Sequence, residues 1–575
     1  MKKITTDILI IGSGGAGLRL AIELFEKGKK NILIVGDCKF RDAHTRMAQG
    51  GVNAPFSNME NEKDSPLVHA LDTFLEGQNI GNPNIIERLT NNAKDAINDL
   101  VDMGAQFHRE PNGKISQRYF GAQTYRRTIF KGDATGHEIL RVLSDRVEKL
   151  KIPNIDKLYI MKLLVKDNNI YGAIGIKNNE LVLIEASIVV LATGGHSNLY
   201  TRSSSRLSEN FGEGTALAFR EGAVLGDMEM LQFHPTGLVF PEEKAGELVT
   251  EAVRGEGGIL TNRLGERFMK KYSPERMELS TRDVVARSNY LEIIAGRGTK
   301  RGAVYLDISS RPKKYILERL PEMYKMLKKY NNIDISKEKM EIAPTAHYAM
   351  GGIRVDEKTN ETAINDLYAV GECTVGVHGA NRLGGNSLAE VVVFGKLVGR
   401  YLAGKKIKAK VMPKSLVNDF EAKLDKEILK NGKLDAQKMI FDARNIMWEH
   451  AGIVRNEKQL KAGLKKLDQL REKIAKQGLS NAKTKFETLV QKTRLASVLD
   501  LGELVIRGAI ERKESRGAHF RDDFPKKSNS YLKNFFFQRK NGKVTVVAKP
   551  VPSPSATLKK GLKEFEKTHN YTHLE

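Results

Sequence analysis

Cysteine is almost absent from this chain, and its scarcity narrows the chemistry. The 575 residues include two cysteines, Cys38 and Cys373, which lie far apart in the sequence. Two isolated thiols exclude a disulfide framework, and they exclude an iron–sulfur cluster whose ligands all come from this chain. We therefore predict a reducing compartment.

Long apolar runs are missing as well. No window approaches the ~18 consecutive apolar residues that a membrane-spanning helix requires, and the longest comparable run is IVVLA. The N-terminus, MKKITTDILIIGSGGAG, begins a strand almost at once and has neither a twin arginine nor a small-residue cleavage site. We expect no export signal and a cytoplasmic protein.

Acidic residues are outnumbered by basic ones. The chain has 94 Lys and Arg against 70 Asp and Glu, a net charge of +24 and a pI near 9.6. The lysines are spread along the chain, and no nucleic-acid-binding motif accompanies them. We therefore predict a solvated basic surface and no nucleic-acid partner, while an acidic protein partner stays open.

The first forty residues follow a strand, turn, helix, strand pattern. DILII and NILIVGD are apolar runs, and LRLAIELFEKG has apolar residues at helical spacing. Gly12, Gly14 and Gly17 form GxGxxG, which permits a tight turn, close approach of a pyrophosphate and packing of the helix on the strand. The unit predicts a bound dinucleotide, FAD or NAD, with Asp37 as a candidate ribose ligand.

Later segments predict a discontinuous dinucleotide domain. ASIVVLATGGHSN and NDLYAVGECTVGVHGANRLGGNSLAE again run from an apolar strand into a glycine turn. With 40% apolar residues in 575, the chain has material for several packed units. We place the first part of this domain at residues 1–230, an inserted capping domain at 231–345 and the second part at 346–410.

The C-terminal third has a different character. Residues 411–528 are rich in Lys and Glu, and Leu460, Leu464, Leu467 and Leu470 recur at helical spacing. We predict a helical domain there, and a loosely structured tail at 529–575. ESRGAHFRDDFP, at 514–525, is an arginine-rich turn that periodicity does not explain.

Histidine, arginine and hydroxyl residues recur beside glycines in the middle of the chain. No serine or cysteine nucleophile accompanies them, and no HxxxH or HxH pair suggests a metal, so we predict none. Arginine forks suit carboxylates, so the set favours a small dianion such as a dicarboxylate. Structural histidines and arginines paired with buried acids are the competing interpretation. The set comprises His234, Thr250, Glu251, Arg254, Arg282, Arg287, His347, His378 and Arg382.

From residue 5 to about 525 the sequence resembles the flavoprotein subunit of succinate dehydrogenase and fumarate reductase. The motifs in family order are GSGGAG, HTRMAQGG, FGAQTYRRT with GDATG, LATGG, DMEMLQFHPTG, LVTEAVRGEGG, NRLGERFM, RDVVAR, HYAMGGI, VHGANRLGGNSL and ESRGAHFRDDFP. The resemblance implies an α/β fold with a Rossmann-like FAD-binding domain, an inserted α+β capping domain, a helical domain and a C-terminal tail. It also implies interconversion of succinate and fumarate.

The family resemblance gives His44 a special role. Members attach FAD covalently through its 8α-methyl group to a histidine in this motif, and residues 44–51, HTRMAQGG, match it. L-aspartate oxidase, an enzyme of NAD biosynthesis, shares several motifs but usually lacks this histidine and tends to have Ala-Ser in place of Gly384-Gly385. The resemblance therefore favours covalent FAD, with L-aspartate oxidase as the alternative.

The resemblance also assigns the remaining roles. His234, Thr250, His347 and Arg382 match the positions that hold the substrate carboxylates. Arg282 matches the residue that exchanges a proton with substrate, and Glu251 and Arg254 match its relay. Glu213 stands where the family commonly has aspartate. The implied cofactor residues are Gly12, Ser13, Gly14, Gly15, Ala16, Gly17, Asp37, His44, Thr45, Ala48, Gln49, Gly50, Gly51, Glu213, Glu372, Ser387 and Leu388.

The resemblance finally implies a partner. Because this chain lacks cluster-binding cysteines, electrons are expected to pass to or from a separate iron–sulfur subunit, which is anchored to the membrane or linked to a soluble thiol donor. The chain would then lie at the cytoplasmic side of the membrane through partner subunits. A third hypothesis, a basic binding protein without activity, leaves the set of Arg282, His347 and Arg382 unexplained.

Overall fold

The computed structural model describes residues 1–540 and 542–568. Its strands are β1 (Lys2–Ile11), β2 (Ile32–Val35), β3 (Val52–Asn53), β4 (Gln117–Arg118), β5 (Thr128–Ile129), β6 (Asn154–Ile155), β7 (Tyr159–Lys166), β8 (Asn169–Lys177), β9 (Glu180–Leu191), β10 (Leu225–Gly226), β11 (Leu231–Leu238), β12 (Ile259–Thr261), β13 (Val304–Asp307), β14 (Met340–Ala349), β15 (Gly352–Ile353), β16 (Leu367–Ala369), β17 (Val454–Arg455), β18 (Phe520–Arg521), β19 (Lys533–Lys540) and β20 (Lys543–Pro550).

The helices connect and cover these strands. They are α1 (Gly15–Glu26), α2 (Pro66–Glu76), α3 (Pro83–Asp102), α4 (Thr135–Lys149), α5 (Glu213–Arg220), α6 (Ala252–Gly255), α7 (Met269–Tyr272), α8 (Arg282–Glu292), α9 (Lys313–Arg319), α10 (Pro321–Asn331), α11 (Asn386–Gly404), α12 (Lys414–Lys423), α13 (Ala436–Ala451), α14 (Glu457–Gln477), α15 (Lys485–Glu511) and α16 (Ala556–Thr568). None of them, within the described ranges, combines the length and hydrophobicity needed to cross a bilayer.

A seven-stranded sheet organises the dinucleotide region. Its order is β6-β2-β1-β9-β8-β7, with β16 also paired to β9. β1 is parallel to β2 and to β9, and the paired segments 8–11, 32–35 and 188–191 are apolar because both faces of the sheet are covered there. α1 and α11 pack on one face. The carboxyl ends of β1, β9 and β16 therefore open toward one place, where ligands bind in such sheets.

The inserted segment has its own sheet and core. β11, β14, β13 and β12 form an antiparallel sheet in that order. Its apolar side packs on α9 and α10 in a separate cluster that includes Leu306, Met323 and Ile342. β11 and β14 lie at residues 231–238 and 340–349, so this sheet begins and ends where the chain leaves and re-enters the dinucleotide region.

The helical region packs on the antiparallel edge of the large sheet. α14 buries Leu460, Leu467 and Leu470, three of the four leucines whose spacing predicted it, and its N-terminus is capped by the side chain of Asn456. α15 begins with a capping box in which Thr484 and Glu487 exchange hydrogen bonds. The long helix reaches from this cap to the cavity described below.

The prediction of a loosely structured tail was wrong for the described part of residues 529–575. β19 and β20 form a hairpin whose register runs from Lys533↔Pro550 to Lys540↔Lys543. β19 also pairs with β10, and Phe535 and Phe537 are buried. α16 then packs on α2. Residues 541 and 569–575 lie outside the described residues.

Candidate active site

One elongated cavity brings the predicted site residues together. Its wall includes the predicted substrate and proton-transfer residues His234, Thr250, Glu251, Arg282, His347 and Arg382. It also includes the predicted cofactor residues Gly12, Ser13, Gly14, Gly15, Ala16, Asp37, His44, Thr45, Ala48, Gln49, Gly50, Gly51, Glu213, Glu372, Ser387 and Leu388. The other two predicted site residues, Gly17 and Arg254, do not line the cavity.

The glycine turn follows the first strand. β1 ends at Ile11, Gly12 has φ +120°, and α1 begins at Gly15. A Cβ on Gly12 would lie 2.0 Å from the carbonyl oxygen of Ala192, and a Cβ on Gly17 would lie 1.9 Å from that of Gly12. Direct backbone contact therefore requires glycine at both positions, and it leaves room for a pyrophosphate beside the N-terminus of α1.

A short 3₁₀ helix, His44–Met47, is tied to this turn. The backbone N–H of Gly15 donates to Oγ1 of Thr45 at 3.0 Å. On the other side, the N–H of Gly136 donates to the carbonyl oxygen of Ala48 at 2.8 Å. These contacts fix the histidine segment against the N-terminus of α1.

His44 is paired with a carboxylate. Its Nδ1 lies 2.8 Å from Oε1 of Glu209. Burial alone lowers the pKa of His44, but the hydrogen bond and charge of Glu209 outweigh it and raise that pKa above its usual value. Burial alone would raise the pKa of Glu209, yet His44 and Arg206 bring it down to about 2. Glu209 is therefore ionised at neutral pH.

Two further acids line the cavity near the end of β2. Burial, followed by the charge of Glu213, raises the pKa of Asp37 to about 6. Glu213 accepts a hydrogen bond from Nε of Arg494 at 3.0 Å, and Arg494 also donates to the carbonyl oxygen of Ser208 at 2.9 Å. A residue of α15 thus holds the loop that carries Glu213, a link that no sequence motif indicated.

His234 and His347 face each other from β11 and β14. Their ring centroids are 5.2 Å apart with an interplanar angle of 68°. Thr236 donates its backbone N–H to Nδ1 of His234 at 3.3 Å, so Nε2 carries the proton of the neutral ring. Nδ1 of His347 lies 2.9 Å from the hydroxyl of Ser204. Burial and then neighbouring arginines lower both histidine pKa values far below the usual value, so both rings are neutral.

Two buried arginines share one carboxylate. Nε of Arg282 donates to Oε2 of Glu251 at 2.8 Å, and its Nη1 donates to Oε1 of Gln232 at 3.1 Å. Nη2 of Arg254 is 3.8 Å from Oε1 of Glu251. Burial alone would raise the pKa of Glu251, but Arg282 and Arg254 bring it down to about 2. Glu251 thus stays ionised between two guanidinium groups.

Arg382 supplies a third cation and is under-bonded. Nη1 donates to the hydroxyl of Ser387 at 3.2 Å, and the guanidinium lies 4.4 Å from the ring centroid of Tyr348. Nε of Arg382 and Nε of Arg254 are buried without a hydrogen-bond partner within residues 1–540 and 542–568. Burial and then the charge of Arg282 lower the pKa of Arg382. An excess of buried positive charge with open donors suits a bound dianion.

Two residues of the predicted dianion set lie elsewhere. Nε2 of His378 is 3.0 Å from a carboxylate oxygen of Glu390, and both side chains are buried. Arg287 lies over the ring of Phe520, 4.5 Å from its centroid. Neither side chain lines the cavity. In the described part of the chain, no cluster of His, Cys, Asp and Glu could hold a metal ion.

Several cavity residues escaped the sequence interpretation. Ser204 and Glu209 lie in an irregular loop after β9, where neither periodicity nor a motif marks them. Gln232 does not line the cavity but accepts a hydrogen bond from Arg282, and since it is two residues before His234 on β11, strand alternation is a signal that could have found it. Sequence reasoning thus identified residues inside motifs and missed those that hold them.

Comparison with known proteins gives two family matches. Residues 7–388 match the FAD binding domain family, and residues 442–563 match the family described as fumarate reductase flavoprotein C-term. A subunit of the fumarate reductase (CoM/CoB) of Methanothermobacter marburgensis is 42% identical over 537 residues, which cover 93% of this chain and 97% of that protein. The 8-methylmenaquinol:fumarate reductase flavoprotein subunit of Wolinella succinogenes is 35% identical, covering 92% and 87%.

Solved structures agree with these matches. A mutant FrdA of E. coli quinol fumarate reductase superposes with a TM-score of 0.89 at 32% identity, covering 97% of this chain and 99% of that one. Sdh1 of Mycobacterium smegmatis, in complex with UQ1, gives a TM-score of 0.87 at 35% identity, covering 100% and 99%. The similarity in both cases extends over nearly the whole chain.

Proposed function

Since this chain belongs to the family of succinate dehydrogenase and fumarate reductase flavoprotein subunits, which are FAD-dependent oxidoreductases, we propose that it interconverts fumarate and succinate. The observation that carries the proposal is the cluster of Arg282, Arg382, His234 and His347 around Glu251, in the same cavity as the dinucleotide turn.

The substrate carboxylates meet the cations and neutral histidines. Arg382 has an open Nε–H donor, and His234 offers Nε2–H. Charge-assisted hydrogen bonds of this kind offset the cost of burying a dianion. With Thr250 in the same wall, these residues orient the carbon–carbon bond of the substrate, and proximity then supplies a large part of the acceleration.

Arg282 moves the proton. Arginine has a pKa above about 12 in water, so transfer requires close contact and a route for recharging. Glu251 touches Arg282 at 2.8 Å and Arg254 at 3.8 Å, which makes a chain of three side chains leading away from the cavity. In the reductive direction Arg282 is recharged by a proton that passes through Glu251, which accepts it from the Arg254 side and is ionised again once the proton reaches Arg282.

The cavity fits FAD. The contact of Gly12 with Ala192 leaves space for the pyrophosphate, and Asp37 and Glu213 are placed to accept ribose or adenine hydrogen bonds. When bound, FAD supplies the atom that gives or takes the hydride. Nδ1 of His44 is engaged by Glu209, so Nε2 is the ring nitrogen left for a covalent bond to the 8α-methyl carbon.

The direction we favour is fumarate reduction, because the Methanothermobacter and Wolinella relatives are both named fumarate reductase subunits. Electrons reach the flavin from a separate iron–sulfur subunit, since Cys38 and Cys373 are the only thiols of the chain. That subunit, with a membrane anchor or a soluble thiol donor, holds this chain at the cytoplasmic side.

Dye-linked assays on the purified chain test the proposal. We expect fumarate-dependent oxidation of reduced viologen, slower succinate-dependent reduction of an artificial dye, and no quinone reduction. Oxygen consumption with L-aspartate and no reaction with fumarate would instead identify an L-aspartate oxidase. Quinone reduction by the lone chain would contradict the need for an iron–sulfur partner.

A further inference from the structure

Asp42, Arg206 and Glu209 form a charged triad beside His44. The proposed fumarate chemistry uses none of these three side chains. Nε of Arg206 donates to Oε1 of Glu209 at 3.0 Å, and its Nη2 donates to Oε2 at 2.8 Å. Nη1 of the same arginine donates to Asp42 at 3.0 Å. Arg206 thus joins the loop that carries Glu209 to the segment that carries His44, two residues after Asp42.

The contact between His44 and Glu209 is partly shielded from water. The side chains of His44 and Glu209 are 27% and 14% exposed. The backbone of Glu209 is fixed as well, because its carbonyl oxygen accepts a hydrogen bond from Nδ2 of Asn198 at 2.6 Å. Such an arrangement costs side-chain freedom, and a solvent-exposed ion pair would return little stability for it. A role in positioning explains it better.

We propose that Glu209 positions His44 and, by holding its Nδ1–H, stabilises the positive charge that the ring gains when Nε2 bonds to the 8α-methyl carbon of FAD. The inference rests on the covalent link of the proposed function. An ionised carboxylate only accepts hydrogen bonds, so in the neutral ring the proton is held on Nδ1 and the lone pair is on Nε2. Glu209 therefore selects the tautomer that can attack carbon.

The step balances. A bond forms between Nε2 of His44 and the methyl carbon, a C–H bond of that methyl group breaks, and its electron pair stays with the isoalloxazine ring. The methyl carbon releases one proton, and the imidazolium held by Glu209 loses its Nδ1 proton to solvent. Both protons are then available to the flavin, which is left reduced by two electrons. Hydride transfer to fumarate, the proposed reaction, oxidises it again.

Glu372 is the other acid whose charge acts on His44, and it is less suited to the role. Burial raises the pKa of Glu372 to about 7, and its Oε1 already accepts the backbone N–H of Ala349 at 3.1 Å. Glu209 alone among the described residues makes a hydrogen bond to the His44 ring. The hydrogen-bond partner of Nδ1 is therefore assigned to Glu209.

The test measures attachment rather than turnover. Unaltered chain, Glu209→Gln, Glu209→Asp and His44→Ser are purified, total flavin is read from absorbance, and the tethered fraction is read from intact mass after acid denaturation. Glu247→Gln is the matched control, because it removes another cavity carboxylate, one that pairs with Lys244 at 3.0 Å and does not touch His44. We expect the tethered fraction per bound flavin to fall at least about tenfold in Glu209→Gln. It should be zero in His44→Ser and unchanged in Glu247→Gln.

Glu209→Asp separates the effect of the negative charge from simple packing. Aspartate keeps the charge with a shorter reach, so it should recover part of the attachment that glutamine loses, although glutamine is closer in size. If Glu209→Gln is purified without flavin, incubation with excess FAD and fumarate before the mass measurement supplies the cofactor. The tethered fraction per chain is then the readout.

The outcomes distinguish failure of the role of Glu209 from failure of the covalent link. Equal tethering in Glu209→Gln and the unaltered chain would overturn the role of Glu209 and leave the covalent link intact. Flavin that leaves the unaltered chain on acid treatment would remove the link itself, and the role of Glu209 with it, while fumarate reduction by bound FAD would remain.

Discussion

Around the glycine turn backbone and side chains are tied to one another, whereas the guanidinium of Arg382 keeps an open donor. Gly15 donates to Thr45, and Arg494 donates to Glu213. Nε of Arg382, although buried, has no partner in the described part of the chain. The first region therefore holds the shape of the dinucleotide site, and the second presents a cation that can bind a dianion. Substitutions should therefore affect flavin retention in one region and catalysis in the other.

The largest effect is expected at Arg282. Arg282→Ala removes the group placed to transfer the proton, so kcat for fumarate should fall on the order of 10³-fold or more, with flavin content unchanged. Reduced-viologen assays and absorbance measure the two quantities. Arg287→Ala, on the same helix but stacked on Phe520 outside the cavity, is the control and should keep near-normal activity. A tenth of normal kcat in Arg282→Ala would contradict the assignment.

Arg382→Ala should act mainly on binding. Losing charge-assisted hydrogen bonds of about 1.5–3 kcal/mol corresponds to a rise in KM for fumarate of about 10-fold to 100-fold. Titration of the flavin absorbance with malonate, a dicarboxylate that does not react, reports the same loss without turnover. Unchanged malonate affinity would show that Arg382 does not hold a carboxylate.

Glu213→Gln tests the region around the glycine turn. In a His44→Ser background, where flavin is free to dissociate, we expect FAD affinity to drop about tenfold because one charged hydrogen-bond acceptor is lost. With saturating FAD, kcat should match that of His44→Ser alone. A large fall in kcat would mean that the two regions are not separable as described.

The smallest effect concerns pH. Burial depresses the pKa values of His234 and His347, so both rings stay neutral as pH falls through the usual histidine range near 6.5. KM for fumarate should then show no histidine step between about pH 6 and pH 8. A decrease of KM below about pH 6.5 would mean that a ring gains a proton and binds the dianion as a cation.

Local patterns predicted the parts of the fold that are local. The order of strand, glycine turn, helix and strand expected from DILII onward was found as β1, α1 and β2. The family inferred from the motifs is confirmed. The C-terminal hairpin was not predicted, because β19 gains its stability from burying Phe535 and Phe537 against a strand, β10, in the first half of the chain. No window of sequence contains that pairing.

The site shows the same division. His44, Arg282 and Arg382 stand in motifs whose residue types already suggest their chemistry. Glu209 and Arg494 approach them from a loop and from a distant helix, and only the folded chain brings them near. The domain boundaries at 230, 345, 410 and 528 and the individual site roles stay predictions that the experiments above address.

The pairing of β10 with β19 also constrains how the protein is made. Leu225 and Gly226 leave the ribosome long before Phe536 and Phe537, their partners in the sheet. Until Lys533–Lys540 has been synthesised, one edge of β10 has no strand beside it, and an open edge can pair with another chain. The order of synthesis therefore places the completion of this sheet long after β10 itself has been made.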